Sequence, residues 1–196
     1  MSLAYQSYGQ GPPLVLLHGL FGSGDNLRAL ARGLESSYTV LLPDLLNHGD
    51  SPHAERATQQ AMADAVEEFI AERAPGRPVI AGHSIGGKVA MLVALRQSVD
   101  LAALVSIDMA PRRYQPSHTK IMTAMKQVPL DRIQGRRDAD RQFKDAVPSA
   151  TVRAFLLKNL IRTDTGFAWR LNLDAIAADY DHLLGWDPPD AVYDGP

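Results

Sequence analysis

The stretch from Val79 to Lys88 constrains the fold more than any other part of this 196-residue chain. Small and apolar residues run into Gly-His-Ser-Ile-Gly, and apolar residues then recur at Ile85, Val89 and Leu92. Residues at that spacing lie on one face of a helix. The sequence therefore predicts a strand, a very sharp turn and a helix, with Ser84 at the apex of the turn.

This context is that of a nucleophile elbow, in which G-x-S-x-G holds a serine in a strained backbone conformation. Gly82 and Gly86 remove side chains that would collide with the adjoining strand or helix. The turn exposes the Ser84 hydroxyl beside the N–H of Ile85 and the positive end of the helix, where an oxyanion is stabilised. The alternative is that Ser84 is only a helix N-cap. The apolar strand before it and the helix behind it favour the nucleophile.

Strands and helices alternate through the first half of the chain. Apolar runs predict strands over about residues 3–8, 14–17, 38–43, 78–82 and 101–107. Helical periodicity predicts two further inward faces, formed by Leu27, Leu30, Ala31 and Leu34, and by Met62, Val66, Phe69 and Ile70 within about 58–73. This alternation indicates an α/β fold with a mostly parallel sheet and helices on both of its faces.

Four polar residues fall at the carboxyl ends of predicted strands. They are His18, Asp44, Ser84 and Asp108. Ligands of open parallel sheets bind beyond those ends. We therefore expect the functional site at this edge of the sheet.

The character of the chain changes after Pro111. Residues 112–145 carry nine lysines and arginines against four aspartates, which is most simply a solvated helical surface. An apolar run over 155–161 predicts a helix between two layers, and 169–186 predicts one or two more helices, with Ile176, Tyr180, Leu183 and Leu184 on one side. No strand pattern follows Asp108. We expect a helical cap over residues 112–186, inserted after the strand that ends at Asp108, on a core of residues 1–111.

Composition excludes several classes of function. A hydrophobic content of 45% and a charged content of 21% are typical of a soluble globular protein. The net charge of −2 gives no reason to expect nucleic acid or an anionic membrane as a partner. The chain has no cysteine, no signal-peptide pattern at its start and no apolar run long enough for a transmembrane helix. A cytoplasmic protein is expected.

No cofactor is expected either. The six histidines are scattered, without the spacing of a metal site. The Gly-rich segment at Gly82 carries a serine where a dinucleotide phosphate would need to approach the backbone.

Four motifs in order resemble the α/β-hydrolase superfamily. They are H-G-L-F-G-S from His18, N-H-G-D-S-P from Asn47, G-H-S-I-G-G-K-V-A-M from Gly82 and S-I-D-M-A-P from Ser106. Together with F-L-L-K-N-L, W-R-L-N-L and Y-D-H-L-L-G-W in the cap, they are similar to bacterial YbfF-type esterases and their mitochondrial relatives. The resemblance implies hydrolysis of small-molecule carboxylic esters, or thioesters, through an acyl-serine intermediate.

The resemblance also implies roles for single residues. Ser84 would be the nucleophile, and the N–H of Ile85 one donor of the oxyanion hole. The second donor would be the N–H of Leu20, in the loop after the strand 14–17, with Phe21 as the near alternative. Asp108 would be the acid, because the group carries it within S-I-D-M-A-P.

Alternatives remain for the acid. Asp108 could instead cap a turn or pair with Arg112 or Arg113. Asp44, at the analogous end of its own strand, is the reserve acid.

Three histidines are predicted to have structural rather than catalytic roles. His18 precedes the nucleophile in the chain, so we expect it to shape its loop by bonding to backbone. His83 should point away from the substrate side of the elbow. His48 should order the loop around it.

The sequence differs from the family in the residue that would act as the catalytic base. The triad of this fold runs in the order Ser, acid, His, and after Asp108 the chain holds only His118 and His182, both in the predicted cap. By comparison with the family, the last two strands and the catalytic histidine are missing after 187–196, which resembles the start of a return to the core. We expect a shortened protein with impaired catalysis and an exposed edge at strand 101–107. A substitute base from His118 or His182 is the alternative.

Two other functions stay open. One is a catalytically inactive hydrolase-like fragment or binding module. The other is a carbon–carbon bond hydrolase or lyase of the same fold, which uses the same elbow. Oligomeric state and acyl-chain preference are not specified by the sequence.

Overall fold

A five-stranded sheet forms the centre of the molecule in the computed structural model, which describes residues 2–196. Its strands are β1 (Tyr5–Tyr8), β2 (Pro13–Leu17), β3 (Thr39–Pro43), β4 (Val79–His83) and β5 (Ala103–Ile107). Their order across the sheet is β1-β3-β2-β4-β5. β1 runs antiparallel to β3, and the other neighbours are parallel. The predicted mostly parallel sheet is confirmed.

Helices cover both faces of this sheet, as predicted. They are α1 (Arg28–Leu34), which follows a 3₁₀ turn over Gly24–Leu27, α2 (Gln59–Arg73) and α3 (Ile85–Arg96). Neighbouring residues of β2 point to opposite faces, because side chains alternate along a strand. Leu14 and Leu16 pack toward α1, whereas Val15 and Leu17 belong to the larger core with α2 and α3.

The predicted buried face of α1 is only partly confirmed. Ala31 is fully buried, and Leu27 and Leu34 pack half-buried against the same cluster. Leu30 was predicted to point inward, but it is 44% exposed. In a helix of seven residues the buried stripe is centred on Ala31, and Leu30 lies one residue, or about 100°, away from it.

The second helix matches its prediction. The Thr58 hydroxyl caps it by accepting a hydrogen bond from the Ala61 N–H at 3.1 Å, which satisfies one of the free donors of the first turn. Its four predicted inward residues, Met62, Val66, Phe69 and Ile70, are all buried. Within residues 2–196 no helix combines the length and hydropathy needed to cross a membrane.

The last strand of the sheet is an exposed edge. The apolar run over 101–107 predicted a strand buried like the others, but β5 begins at Ala103, and Val105 is 44% exposed. β5 pairs with β4 on one side only, and on the other side the Leu104 N–H donates to the Pro196 carbonyl at 2.9 Å. The expected exposed edge is therefore present, and burial of the strand was a wrong prediction.

Residues 112–186 form a mixed rather than a purely helical layer. The helices are α4 (Thr119–Gln127), α5 (Arg136–Phe143), α6 (Ala150–Leu156), α7 (Leu173–Ala178) and α8 (Tyr180–Leu184). A hairpin of β6 (Leu160–Thr163) and β7 (Gly166–Trp169) lies between α6 and α7. The predicted inward side of the last segment is confirmed, since Ile176, Tyr180, Leu183 and Leu184 are buried.

The hairpin corrects two predictions, namely a helix over 155–161 and no strand after Asp108. α6 ends at Leu156, and a 3₁₀ turn over Leu157–Asn159 leads into β6. The Asn159 side chain donates to the carbonyl of Phe21 in the core at 2.8 Å, so the chain leaves the helix there to make a tertiary contact. A missed local signal is Gly166, the first residue of β7 after the turn, whose φ of 139° favours glycine.

Asp179 joins this layer to the core. Its carboxylate accepts a hydrogen bond from the Ala57 N–H at 2.7 Å and three from the Arg56 guanidinium at 3.0–3.2 Å. The carboxylate is buried, whereas the Arg56 side chain is 59% exposed. Because the Ala57 N–H is also buried, it has no water to replace the carboxylate oxygen.

We expect Asp179→Ala to lower the free energy of unfolding by about 2 kcal/mol, because it leaves the buried Ala57 N–H without an acceptor. Urea denaturation measures the change. Asp181→Ala is the matched control: Asp181 pairs with Arg113, and both side chains are more than half exposed, so its loss should cost about 0.5 kcal/mol or less. Equal losses in the two variants would contradict this account of the junction.

Candidate active site

Ser84 sits between β4 and α3 in the strained conformation that its motif predicts. Its φ of 55° and ψ of −122° lie in a region that non-glycine residues rarely adopt. The Ser84 N–H donates to the Ile107 carbonyl at 3.1 Å, and the Ser84 carbonyl accepts from the Gly87 N–H at 2.8 Å. The Ser84 side chain makes no cap hydrogen bond to α3. The hydroxyl is thus not used as a helix cap.

Three glycines let backbone segments approach one another around Ser84. A Cβ added at Gly82 would lie 2.1 Å from the Gly86 carbonyl oxygen, and one at Gly86 would lie 2.5 Å from the His18 carbonyl oxygen. A Cβ at Gly19 would lie 3.2 Å from the Cβ of Ser84. The first two distances are too short for any side chain, as the motif predicted. The third shows that the loop after β2 runs directly beside the elbow.

The two predicted oxyanion donors border the same cavity as Ser84. Ile85 is the first residue of α3, so its N–H has no acceptor within the helix. Leu20 lies in the neighbouring loop, where the Gly22 N–H donates to the Gly19 carbonyl at 2.9 Å. Phe21, the alternative donor, has a φ of 60° and a buried side chain, and it does not line this cavity.

His18 and His48 form a buried pair beneath this loop. The Leu45 N–H donates to His18 Nε2 at 2.9 Å, so Nδ1 carries the proton and donates to the Gly19 carbonyl at 2.8 Å. Burial lowers the pKa of His18 to about 4. His18 therefore stays neutral and bonds to backbone, as predicted, and neither ring nitrogen is free to act as a base.

His48 also orders its loop, as predicted. Its Nδ1 bonds to the Leu46 carbonyl at 3.0 Å, and its ring centroid lies 5.3 Å from that of His18. Burial, followed by the neighbouring His18, lowers the pKa of His48 to about 3. Its Nε2 is buried without a hydrogen-bond partner among residues 2–196.

His83 lies against the loop after β2, where a Cβ at Gly19 would be 3.0 Å from its Nδ1. It borders a smaller cavity of about 400 Å³ that Ser84 also borders. Its expected orientation, away from the substrate side of the elbow, stays a prediction. The absence of a side chain at Gly19 leaves the space that the His83 ring occupies.

Asp108 follows β5 and borders the main cavity together with Ser84. Its φ of 54° places a second non-glycine residue at a strand end in the left-handed region. The predicted alternative pairs with arginine are not formed: Arg113 bonds to Asp181, and the Arg112 guanidinium lies over the Tyr114 ring. The Asp108 carboxylate is thus left exposed at the cavity.

The side chain of Asp44, the reserve acid, is hydrogen-bonded to backbone N–H groups. Its carboxylate accepts from the Gly24 N–H at 2.7 Å and from the Asp50 N–H at 2.8 Å. Burial raises its pKa. It borders neither cavity that contains Ser84, so its position argues against a role as the acid.

The main cavity has a volume of about 550 Å³ and lies between the sheet edge and residues 112–186. It brings together all four predicted site residues, Leu20, Ser84, Ile85 and Asp108. From the other side it is lined by His118 and Tyr180, among others. His182 is exposed and does not line it.

Lys88 is a cavity residue that the sequence analysis did not single out. It is 1% exposed, and its ammonium group donates to the carbonyls of Leu184 at 2.8 Å and Gly185 at 2.6 Å, at the end of α8. Burial lowers its pKa to about 8. Its position four residues after Ser84 puts it on the same helix face as the serine, and that spacing is a signal that could have found it.

No histidine among residues 2–196 forms a hydrogen bond with the Ser84 hydroxyl, although His118 borders the same cavity. Nor does this part of the chain hold three or more His, Asp or Glu side chains grouped as a metal would need. The arrangement contains a half-buried serine, two backbone donors and an exposed carboxylate.

The fold and this site place the chain in a known family. The sequence model of the alpha/beta hydrolase fold matches residues 12–180. The chain belongs to the alpha/beta hydrolase family.

Within that family the resemblance to YbfF-type esterases is confirmed. The chain is 33% identical over 183 residues to the esterase YbfF of Escherichia coli, covering 93% of this chain and 70% of the relative. It is 39% identical over 194 residues to the sn-1-specific diacylglycerol lipase ABHD11 of Xenopus laevis, covering 95% and 62%. The chain thus spans less than two thirds of that lipase's length.

A solved structure shows the same architecture. A marine microorganism esterase superposes with a TM-score of 0.95 at 32% identity, covering 100% of this chain and 78% of that chain. The arrangement of the sheet, the elbow and the layer above it is therefore shared with a solved esterase structure.

We expect Gly86→Ala to lower the free energy of unfolding by about 3 kcal/mol, because the new methyl group would overlap backbone carbonyls that cannot move independently of β2. Chemical denaturation measures the change. Gly33→Ala is the control: nothing lies within 4 Å of its Cβ position in α1, so alanine should stabilise that helix by about 0.5–1 kcal/mol. A Gly86→Ala variant as stable as the parent would rule out the close packing described for the elbow.

Proposed function

We propose that this protein is a serine hydrolase that acts on carboxylic esters, or thioesters, through an acyl-serine intermediate. The observation that carries the proposal is the placement of Ser84 at a strained apex, beside the free N–H of Ile85 and in one cavity with Asp108. The names of its relatives, an esterase and a diacylglycerol lipase, support ester substrates.

The proposed chemistry follows from these positions. The Ser84 oxygen attacks the ester carbonyl carbon, and the carbonyl oxygen becomes an anion that the N–H groups of Leu20 and Ile85 stabilise. Collapse of this intermediate breaks the bond to the alcohol oxygen, which leaves with the proton that Ser84 gave up. Water then attacks the acyl-serine, releases the carboxylic acid and returns a proton to the Ser84 oxygen. Asp108 is the proposed acid of the triad, and it acts by orienting a histidine.

The substrate is a small-molecule ester held between two layers. We propose residues 1–111 as the catalytic core and residues 112–186 as the cap. The cavity between them is in the size range of small-molecule sites, and its lining combines apolar and polar side chains.

Catalysis by these residues alone is proposed to be impaired. A serine hydroxyl is a weak nucleophile without an adjacent base. The described residues place no histidine in hydrogen-bond contact with Ser84. The same observation favours the second candidate function, a hydrolase-like binding module that retains the cavity without turnover.

We expect slow hydrolysis of 4-nitrophenyl butyrate by the 196-residue chain, with a kcat on the order of a millionfold below that of a relative with a complete triad, because the base is lacking. The E. coli esterase YbfF, assayed alongside, supplies the comparison. Ser84→Ala should abolish the remaining rate, whereas His182→Ala should leave it unchanged. Hydrolysis that Ser84→Ala does not affect would refute Ser84 as the nucleophile. A rate close to that of YbfF would show that a base is present.

A second expectation concerns Asp108. Because the acid acts through the histidine that it orients, Asp108→Asn should change the residual rate of this chain by no more than about threefold. The same hydrolysis of 4-nitrophenyl butyrate measures the rate, and Ser84→Ala is the reference for complete loss. If Asp108→Asn abolished the residual rate, Asp108 would have a direct role in the chemistry.

A further inference from the structure

His118 stands out because it is a cap residue that reaches the nucleophile's surroundings. It precedes α4, and it borders both the main cavity and the smaller one, each of which Ser84 also borders. Its ring packs edge-on against Phe21, with centroids 5.7 Å apart. Phe21 follows Leu20 in the loop that carries a proposed oxyanion donor. His118 therefore faces the loop from the opposite wall of the site.

The hydrogen bonds of Tyr180 determine which nitrogen of the His118 ring carries the hydrogen. The Tyr180 oxygen accepts from the backbone N–H of Ser117 at 3.2 Å and from that of His118 at 2.9 Å. These two bonds use the acceptor capacity of the phenol oxygen. Tyr180 is 8% exposed, so its own proton also needs a protein partner. His118 Nδ1 lies 3.1 Å from that oxygen and is the acceptor in reach.

It follows that Nδ1 of His118 accepts a hydrogen bond from the Tyr180 hydroxyl and carries no hydrogen itself. In a neutral imidazole the other nitrogen, Nε2, then bears the hydrogen. Burial lowers the pKa of His118, so the ring is neutral at neutral pH. The exposed Ser117 hydroxyl, also 3.1 Å from Nδ1, can donate to the same nitrogen or turn to water. Either way Nε2 is a donor, and it lacks the lone pair that a base for Ser84 needs.

The structure of an ester indicates which substrate atom could accept a hydrogen bond from the Nε2–H group of His118. The carbonyl oxygen is taken by the N–H groups of Leu20 and Ile85, so the acceptors left on a bound ester lie on its alcohol half. We propose that the Nε2–H group of His118 is a substrate-binding donor that recognises an oxygen on the alcohol half of the ester. This assignment rests on the proposed ester hydrolase function, and it makes His118 a specificity-determining residue rather than a substitute base.

The test measures binding without turnover. In the full chain carrying Ser84→Ala, an intact ester is a stable ligand, and glyceryl monobutyrate is the probe, because its alcohol half offers hydroxyl oxygens. Its dissociation constant is measured by calorimetry for Ser84→Ala alone and with either His118→Gln or His118→Asn added. The glutamine amide reaches the position of Nε2, whereas the asparagine amide reaches only that of Nδ1 and keeps the contact with Tyr180.

We expect His118→Gln to bind the probe within about twofold of the parent and His118→Asn to bind it about three- to tenfold more weakly, the loss typical of one neutral hydrogen bond. Melting temperatures check that both variants are folded. Equal binding by all three proteins, or equal weakening in both His118 variants, would overturn the donor role. No binding by the Ser84→Ala chain itself would instead refute the proposed ester substrate, and the inference with it.

Discussion

The structure depends on the close approach of three backbone segments around Ser84. The strand β4, the start of α3 and the loop after β2 come within contact distances that allow no side chain at Gly82 or Gly86. Such an approach is possible only if the surrounding core is rigid enough to hold Ser84 at a positive φ, since that conformation costs of order 1–3 kcal/mol. The buried apolar residues of α2 and α3 supply that rigidity. As a result, Ser84 borders the main cavity beside the N–H of Ile85, which has no acceptor within α3.

A second set of contacts ties residues 112–186 to the helices of the core. Lys88 on α3 and Gln59 on α2 both donate to backbone carbonyls at the end of α8. These carbonyls have no partners within their own helix, so a buried lysine and an amide satisfy them. Asn159 likewise bonds to the carbonyl of Phe21 in the loop after β2. Polar contacts thus fix the walls of the cavity to one another on both sides of Ser84.

Most elements of the core could be predicted from the sequence, because interactions between residues close in sequence determine them. Alternating apolar strands, a capped amphipathic helix at Thr58 and the glycines of the elbow each depend on neighbours close in sequence. Prediction failed where contacts distant in sequence decide the outcome. The run over 155–161 leaves the helix at Leu156 and enters a hairpin strand after Asn159, which binds the carbonyl of Phe21. β5 lies at the edge of the sheet, because only β4 pairs with it.

Residue type and spacing were sufficient to predict the elbow and the mostly parallel sheet, because a strand and a helix are periodic and a sharp turn needs glycine. Which polar residues share a cavity depends on tertiary contacts, which local pattern does not contain. Asp44 and Asp108 both follow the ends of strands. The Asp44 carboxylate accepts hydrogen bonds from backbone N–H groups, whereas the Asp108 carboxylate borders the cavity together with Ser84. The same holds for His118, whose tautomer is set by Tyr180 from 62 residues away.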